Sequence, residues 1–181
     1  MFKLVVYLCV SMLQQEDSIF NLIGKNISAI SHTQLENEYE NGGKTYIYHH
    51  PFTILGSKYD NLSLYTDSSG VVEDISFFIP GILEKSLYSK MVAAWEEPEG
   101  IYKINEKTMI HGPTSTSLNG IQSMKSEGFM KKCTIDDDPL LIIWNKGNFN
   151  IRVELGTPMN PFQSVWVKIK KGNVMFNKEK F

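Results

Sequence analysis

Phe149-Asn150-Ile151-Arg152-Val153-Glu154-Leu155 and, after a break, Val165-Trp166-Val167-Lys168-Ile169-Lys170 carry the plainest pattern in the chain. Apolar and polar side chains alternate with a period of two, the signature of a strand buried on one face only. Odd-numbered residues form the dry face. Asn150, Arg152 and Glu154 then look at water, as do Trp166, Lys168 and Lys170 on the second strand.

Hairpins surround these two runs. Residues 140–144 lead into 149–155 across Asn145-Lys146-Gly147-Asn148, and 164–170 turn at Lys171-Gly172 towards a further strand at 173–176. Earlier, 62–66 and 71–79 flank Asp67-Ser68-Ser69-Gly70, where aspartate and glycine supply turn geometry. Here Leu62, Leu64, Ile75, Phe77 and Ile79 point inward, leaving Tyr65, Asp74, Ser76 and Phe78 outward. Residues 45–50 read as a strand closed by Pro51, and 101–104 and 108–110 as short strands, before His111-Gly112-Pro113 breaks the pattern.

Helical signals fall between the strands. Ile82, Leu83, Leu87, Met91 and Ala94 recur at helical spacing and predict a helix over 82–95, ended by Pro98 and Gly100. Asp17 caps a short stretch that stops at Gly24. Ser31 and Gln34 have capping-box spacing, and Leu35, Tyr39 and Asn41-Gly42-Gly43 predict a helix with a glycine stop. Ser117 heads another through Leu118, Ile121 and Met124 to Gly128. The expected class is therefore α+β: an antiparallel sheet of several hairpins with helices packed mainly on one face. Residues 14–181 form a single domain, and the element order of 17–79 echoes in 82–176, which suggests two related halves.

Composition narrows the function. The chain has 181 residues, 42% hydrophobic and 21% charged, which is globular rather than disordered. Eighteen basic against twenty acidic side chains leave a formal charge of −2, so a protein built mainly on nucleic-acid phosphates is not expected. Cys9 and Cys133 are too few for a disulfide scaffold or a multi-cysteine metal site. No apolar run reaches the length of a bilayer span.

The first thirteen residues read in two ways. Lys3, then Leu4 to Leu13, then polar Gln14-Gln15-Glu16-Asp17 outline a secretory signal segment and place the protein in the periplasm or outside the cell. Val5-Val6-Tyr7-Leu8-Cys9-Val10 equally suits a buried first strand, which would leave the protein cytoplasmic. A lipid-bearing Cys9 is disfavoured, because bulky Tyr7 and Leu8 stand where small residues are wanted.

The run Leu64-Tyr65-Thr66-Asp67-Ser68-Ser69-Gly70-Val71-Val72-Glu73-Asp74-Ile75 resembles the Asp-x-x-Gly-x-Val hairpin of small bacterial envelope modules. These are the outer-membrane assembly lipoproteins of the SmpA type and the β-lactamase-inhibitor-protein fold. The resemblance covers one hairpin plus an element order, and it implies a non-enzymatic, protein-binding role by analogy of fold.

Catalytic motifs are thin. His32, His49, His50 and His111 are the histidines; His49 and His50 are adjacent on a strand and point to opposite faces. There is no HExxH, CxxC or Gly-x-Ser-x-Gly, and Gly42-Gly43-Lys44 lacks phosphate-loop spacing. No catalytic residue, metal ligand or cofactor is assigned. The C-terminal lysines are the ordinary protection of a strand edge. What does stand out is a polar sheet face dotted with Tyr65, Phe78 and Trp166 beside Arg152, the only arginine. Aromatic anchors and arginine in a polar surround are the composition of a protein-recognition patch. The expected function is thus a non-enzymatic protein- or peptide-binding module of the bacterial envelope or exterior, with Tyr65, Phe78, Arg152 and Trp166 as binding residues. The bland alternative is that a loop or helix from 105–138 covers this face and makes the aromatics a second small core. The alternative from another class is a small hydrolase-like enzyme using His111 with Asp136 or Cys133 in a cleft. A carrier would instead need an apolar cavity between sheet and helix.

Overall fold

A computed structural model describes residues 19–105, 110–116, 122–127, 129–156 and 164–172, with the backbone alone for 110–116 and 122–127. Its centre is a nine-stranded antiparallel sheet in the order β1-β2-β5-β6-β13-β12-β11-β7-β10. The strands are β1 (Thr33–Glu38), β2 (Lys44–Tyr48), β5 (Leu62–Thr66), β6 (Val72–Pro80), β7 (Gly100–Ile104), β10 (Met130–Lys132), β11 (Leu141–Lys146), β12 (Phe149–Leu155) and β13 (Ser164–Lys171). Two small hairpins stand apart from it: β3 (Phe52–Ile54) with β4 (Ser57–Tyr59), and β8 (Ile110–Thr116) with β9 (Gln122–Glu127).

Strands from the first part of the chain fill one side of the sheet and those from the second part the other. The seam is the β6–β13 ladder, which sets Ile75 against Ile169, Phe77 against Val167 and Phe78 against Trp166. On the inner face Leu62, Leu64, Ile75, Phe77, Trp144, Ile151, Val153, Val165, Val167 and Ile169 are buried. Three pieces cover them. Residues 19–30 contribute Ile19, Phe20, Leu22 and Ile30, the β3–β4 hairpin adds Phe52, Ile54 and Leu55, and helix α1 (Lys85–Trp95) adds Met91 and Trp95. Such burial of large apolar side chains, at about 25 cal/mol per Å², is the main force holding the sheet to its cover.

The expected α+β class does not hold, because the protein is mostly β, with α1 the one complete α-helix among the described residues. The 31–39 run is strand β1, paired antiparallel to β2 with a bulge between Leu35 and Asn37. Its Leu35 and Tyr39 are 49% and 43% exposed, so the i, i+4 apolar pair that suggested a helix has no core to face. The glycines that read as a helix stop close a hairpin instead: Gly42, at φ 81°, donates its N–H to Tyr39 O at 2.9 Å. Of the expected 117–127 helix, residues 122–127 are strand β9 and 117–121 lie outside the described residues, and β8 runs through His111-Gly112-Pro113 with an irregular register rather than ending there. The β3–β4 hairpin was not foreseen. The expected helix at 17–24 lies partly outside the described residues; Ile19 and Phe20 are helical and Asn21 to Gly24 form turns. The 173–176 strand and residues 1–13 lie outside them.

Helix α1 starts three residues later than its apolar spacing predicts, and Ile82 is left 56% exposed. Its C-terminal carbonyls are satisfied from the sheet. Lys146 Nζ donates to Ala94 O at 2.7 Å and Trp144 Nε1 to Glu96 O at 3.0 Å. A cation there also complements the helix dipole. Among the described residues no helix is long and apolar enough to cross a membrane.

Candidate binding face

Antiparallel pairing places directly opposed residues on the same face, so the ladders map the outer surface in rows. One row reads Phe78, Trp166, Glu154, Leu141 and Tyr102. The next reads Ile47, Ser63, Ser76, Lys168, Arg152 and Ile143. A third reads Thr45, Tyr65, Asp74, Lys170 and Asn150.

This face is not uniform. At the β11–β7 end Tyr102, Leu141 and Ile143 are buried in a second apolar cluster with Met130. Over the seam the surface is open: Trp166 is 50% exposed and Phe78 36%. None of Tyr65, Phe78 and Trp166 belongs to that second cluster. Phe78 and Trp166 meet at a tilt, ring centroids 5.7 Å apart and planes at 42°. Tyr65 is half-buried. Its ring meets Tyr39 at 5.8 Å and lies over Gly43, where an added Cβ would come within 2.5 Å of the phenol oxygen.

Small side chains at the middle of the open region make a hollow. Ser63 and Ser76 are ringed by Tyr39, Thr45, Tyr65, Asp74, Trp166 and Lys168, with Glu36 at the rim, and together they enclose about 400 Å³. On its floor Asp74 is 6% exposed, with Lys168 Nζ 3.4 Å from Oδ2. Burial pushes the Asp74 carboxyl above its ordinary range, against the opposing pull of Lys168. Neither Ser63 nor Ser76 has a side-chain hydrogen bond among the described residues, whereas Tyr39 Oη and Thr45 Oγ1 pair at 3.1 Å.

Of the four binding residues expected from the sequence, Phe78 and Trp166 are in contact and Tyr65 shares the hollow with Trp166. Arg152 stands beyond Lys168, directly opposite it on β12, and does not line the hollow. Ser63, Asp74, Ser76 and Lys168 were not singled out. Their outward parity was readable, but their convergence depends on the β6–β13 register, which no local pattern encodes.

Of the enzyme alternative, only Asp136 and Cys133 have described side chains. Asp136 pairs with Lys85 at 2.9 Å, and burial raises the Cys133 thiol above its ordinary value, the reverse of an activated thiolate. The His111 side chain lies outside the described residues. A second hollow of about 290 Å³, beside Ile82, Leu83, Pro139 and Leu140, is lined among the described residues by no histidine, cysteine or lysine. No cluster of three His, Cys, Asp or Glu suited to a metal ion occurs among the described residues. No family model, curated protein or solved structure matches this chain.

Proposed function

We propose that this protein is a non-enzymatic binding module of the bacterial envelope or exterior, and that it recognises a protein or peptide through the outer sheet face at the seam. The observation that carries this reading is the Phe78–Trp166 pair, two large rings left exposed in contact on strands paired along both edges. A rigid scaffold loses little entropy on binding, and burying the pair against a partner would remove apolar area from water where anchors are most effective. Arg152 and Lys168 would orient an acidic or amide-rich segment beside the anchors. Placement outside the cytoplasm rests on the apolar run Leu4 to Leu13 before Gln14-Gln15-Glu16-Asp17.

The test is selection of peptides from a displayed random library on the intact protein, followed by binding of the recovered peptides to Trp166→Ala. Affinity should fall at least tenfold in the variant while its melting temperature stays close to that of the parent. Peptides that bind parent and variant equally well would overturn the assignment of the face.

A further inference from the structure

The hollow beside the anchor pair has chemistry of its own. Every strand of its floor is paired on both sides, so the backbone N–H and C=O groups of β5, β6 and β13 are spent in the ladders. An extended peptide has no edge there to pair with, and a ligand can be held only by side chains. Those available are hydroxyls, one desolvated carboxylate and ring faces. Ser63 and Ser76 offer two hydroxyls that make no hydrogen bond among the described residues, each able to donate and accept. The buried Asp74 is a strong acceptor whose one ion-pair contact among the described residues is long, at 3.4 Å. Tyr65 and Trp166 rise from the rows on either side of the two serines. Lys168 offsets the charge of Asp74 on the floor, and the remaining charged group of the lining, Glu36 at the rim, disfavours an anion.

We propose that this hollow binds a neutral saccharide. A pyranose has apolar C–H faces for the rings of Trp166 and Tyr65 and a rim of hydroxyls for Asp74, Ser63 and Ser76. A volume of about 400 Å³ lies within the range of small-ligand pockets. The site is open, so the expected affinity is weak. The inference goes beyond the partner-binding reading and does not need it; Trp166 and Lys168 serve both.

The chain's three tryptophans supply the assay, because Trp95 and Trp144 are buried and only Trp166 is exposed. Indole N–H resonances of the full chain are followed while glucose, galactose, mannose and N-acetylglucosamine, and their β-linked disaccharides, are added to about 50 mM. At least one neutral sugar should move the Trp166 indole and leave the Trp95 and Trp144 signals in place. The matching uronic acid should bind no better. Ser76→Leu fills the floor while keeping all three rings, Tyr65, Phe78 and Trp166, and should weaken sugar binding at least tenfold; Asp74→Asn should weaken it several-fold. The two buried indoles report that each variant is folded. Absence of any shift for all neutral sugars would overturn the proposal, as would sugar binding that survives both substitutions. Peptides selected on the protein should still bind Ser76→Leu, so failure of the saccharide site and failure of the partner face are read separately.

Discussion

Trp166 stands directly opposite Phe78 across the β6–β13 ladder, their ring centroids 5.7 Å apart, with the apolar core sealed on the other side of the same two strands. The pair spans the seam where the two parts of the chain join, so it is a cross-strand contact as well as a surface feature. Replacing Trp166 by alanine should cost under about 1 kcal/mol in urea unfolding, the scale of one exposed cross-strand aromatic pair. A double-mutant cycle with Phe78→Ala should show coupling of about 0.2–1 kcal/mol. A loss several times larger would place the indole in the core and remove it from any recognition role.

The two buried tryptophans make the opposite case. Trp95 and Trp144 meet edge to face at 5.4 Å and 73°, joining α1 to β11. Either one changed to alanine should cost about 3–5 kcal/mol. Phenylalanine separates them. Trp144 Nε1 donates to Glu96 O, while Trp95 Nε1 has no acceptor among the described residues. Trp144→Phe should therefore be the costlier change by about 1 kcal/mol, since it also strands a carbonyl at the helix end. Equal losses for the two variants in matched denaturation curves would contradict the hydrogen-bond assignment.

How much of this could be read from the chain depends on the range of each signal. Alternation in Phe149 to Leu155 and Val165 to Lys170 is local, and burial follows it for Ile151, Val153, Val165, Val167 and Ile169, which are buried, and for Trp166, Lys168 and Lys170, which are exposed. Asn150 departs from it, since it is 2% exposed and its amide donates to Trp144 O and Asn145 Oδ1 instead of facing water. Asp67-Ser68-Ser69-Gly70 is equally local. Asp67 Oδ1 accepts from the N–H groups of Ser69 and Val71 at 2.9 Å each, and Gly70 takes φ 81°. Residues 31–39 failed because Ser31, Gln34, Leu35 and Tyr39 fit a helix as well as a strand, and the deciding factor was the open edge of β2 beside them. Asp74 and Ser76 could be placed on the outer face from parity, but not beside Trp166. Their neighbourhood is created by a pairing between strands remote in sequence.

Asp74 offers a pH test. Burial raises its folded pKa above the unfolded value near 3.9, so between those two values the folded state holds more protons. Stability contributed by this group is present at low pH and is lost as pH rises through that window; above it the penalty is constant. Asp74→Asn removes the penalty at nearly the same shape, and Lys168, half exposed, keeps its solvation. The variant should melt up to about 2–4 °C higher than the parent at pH 7, with the difference closing towards about pH 3. Melting curves across that range in which the variant is less stable at pH 7 would show that the Lys168 contact outweighs desolvation.

Gly43 tests how Tyr65 is held. The residue is buried, and unlike Gly42 it does not have a positive φ, so alanine is allowed by the backbone. The obstacle is the space above it: a Cβ would sit 2.5 Å from Tyr65 Oη and 3.0 Å from Thr66 O. The ring must swing away, which should cost about 1–3 kcal/mol by overpacking and open one wall of the hollow. In a Tyr65→Ala background the main obstruction is gone, and Gly43→Ala should cost distinctly less, because residues in contact do not act additively. The Tyr65→Ala protein then leaves only the Thr66 carbonyl to resist the new methyl group. If Gly43→Ala costs the same with and without the phenol ring, the glycine serves the β1–β2 turn rather than the seat of Tyr65, and sugar binding should then survive the substitution.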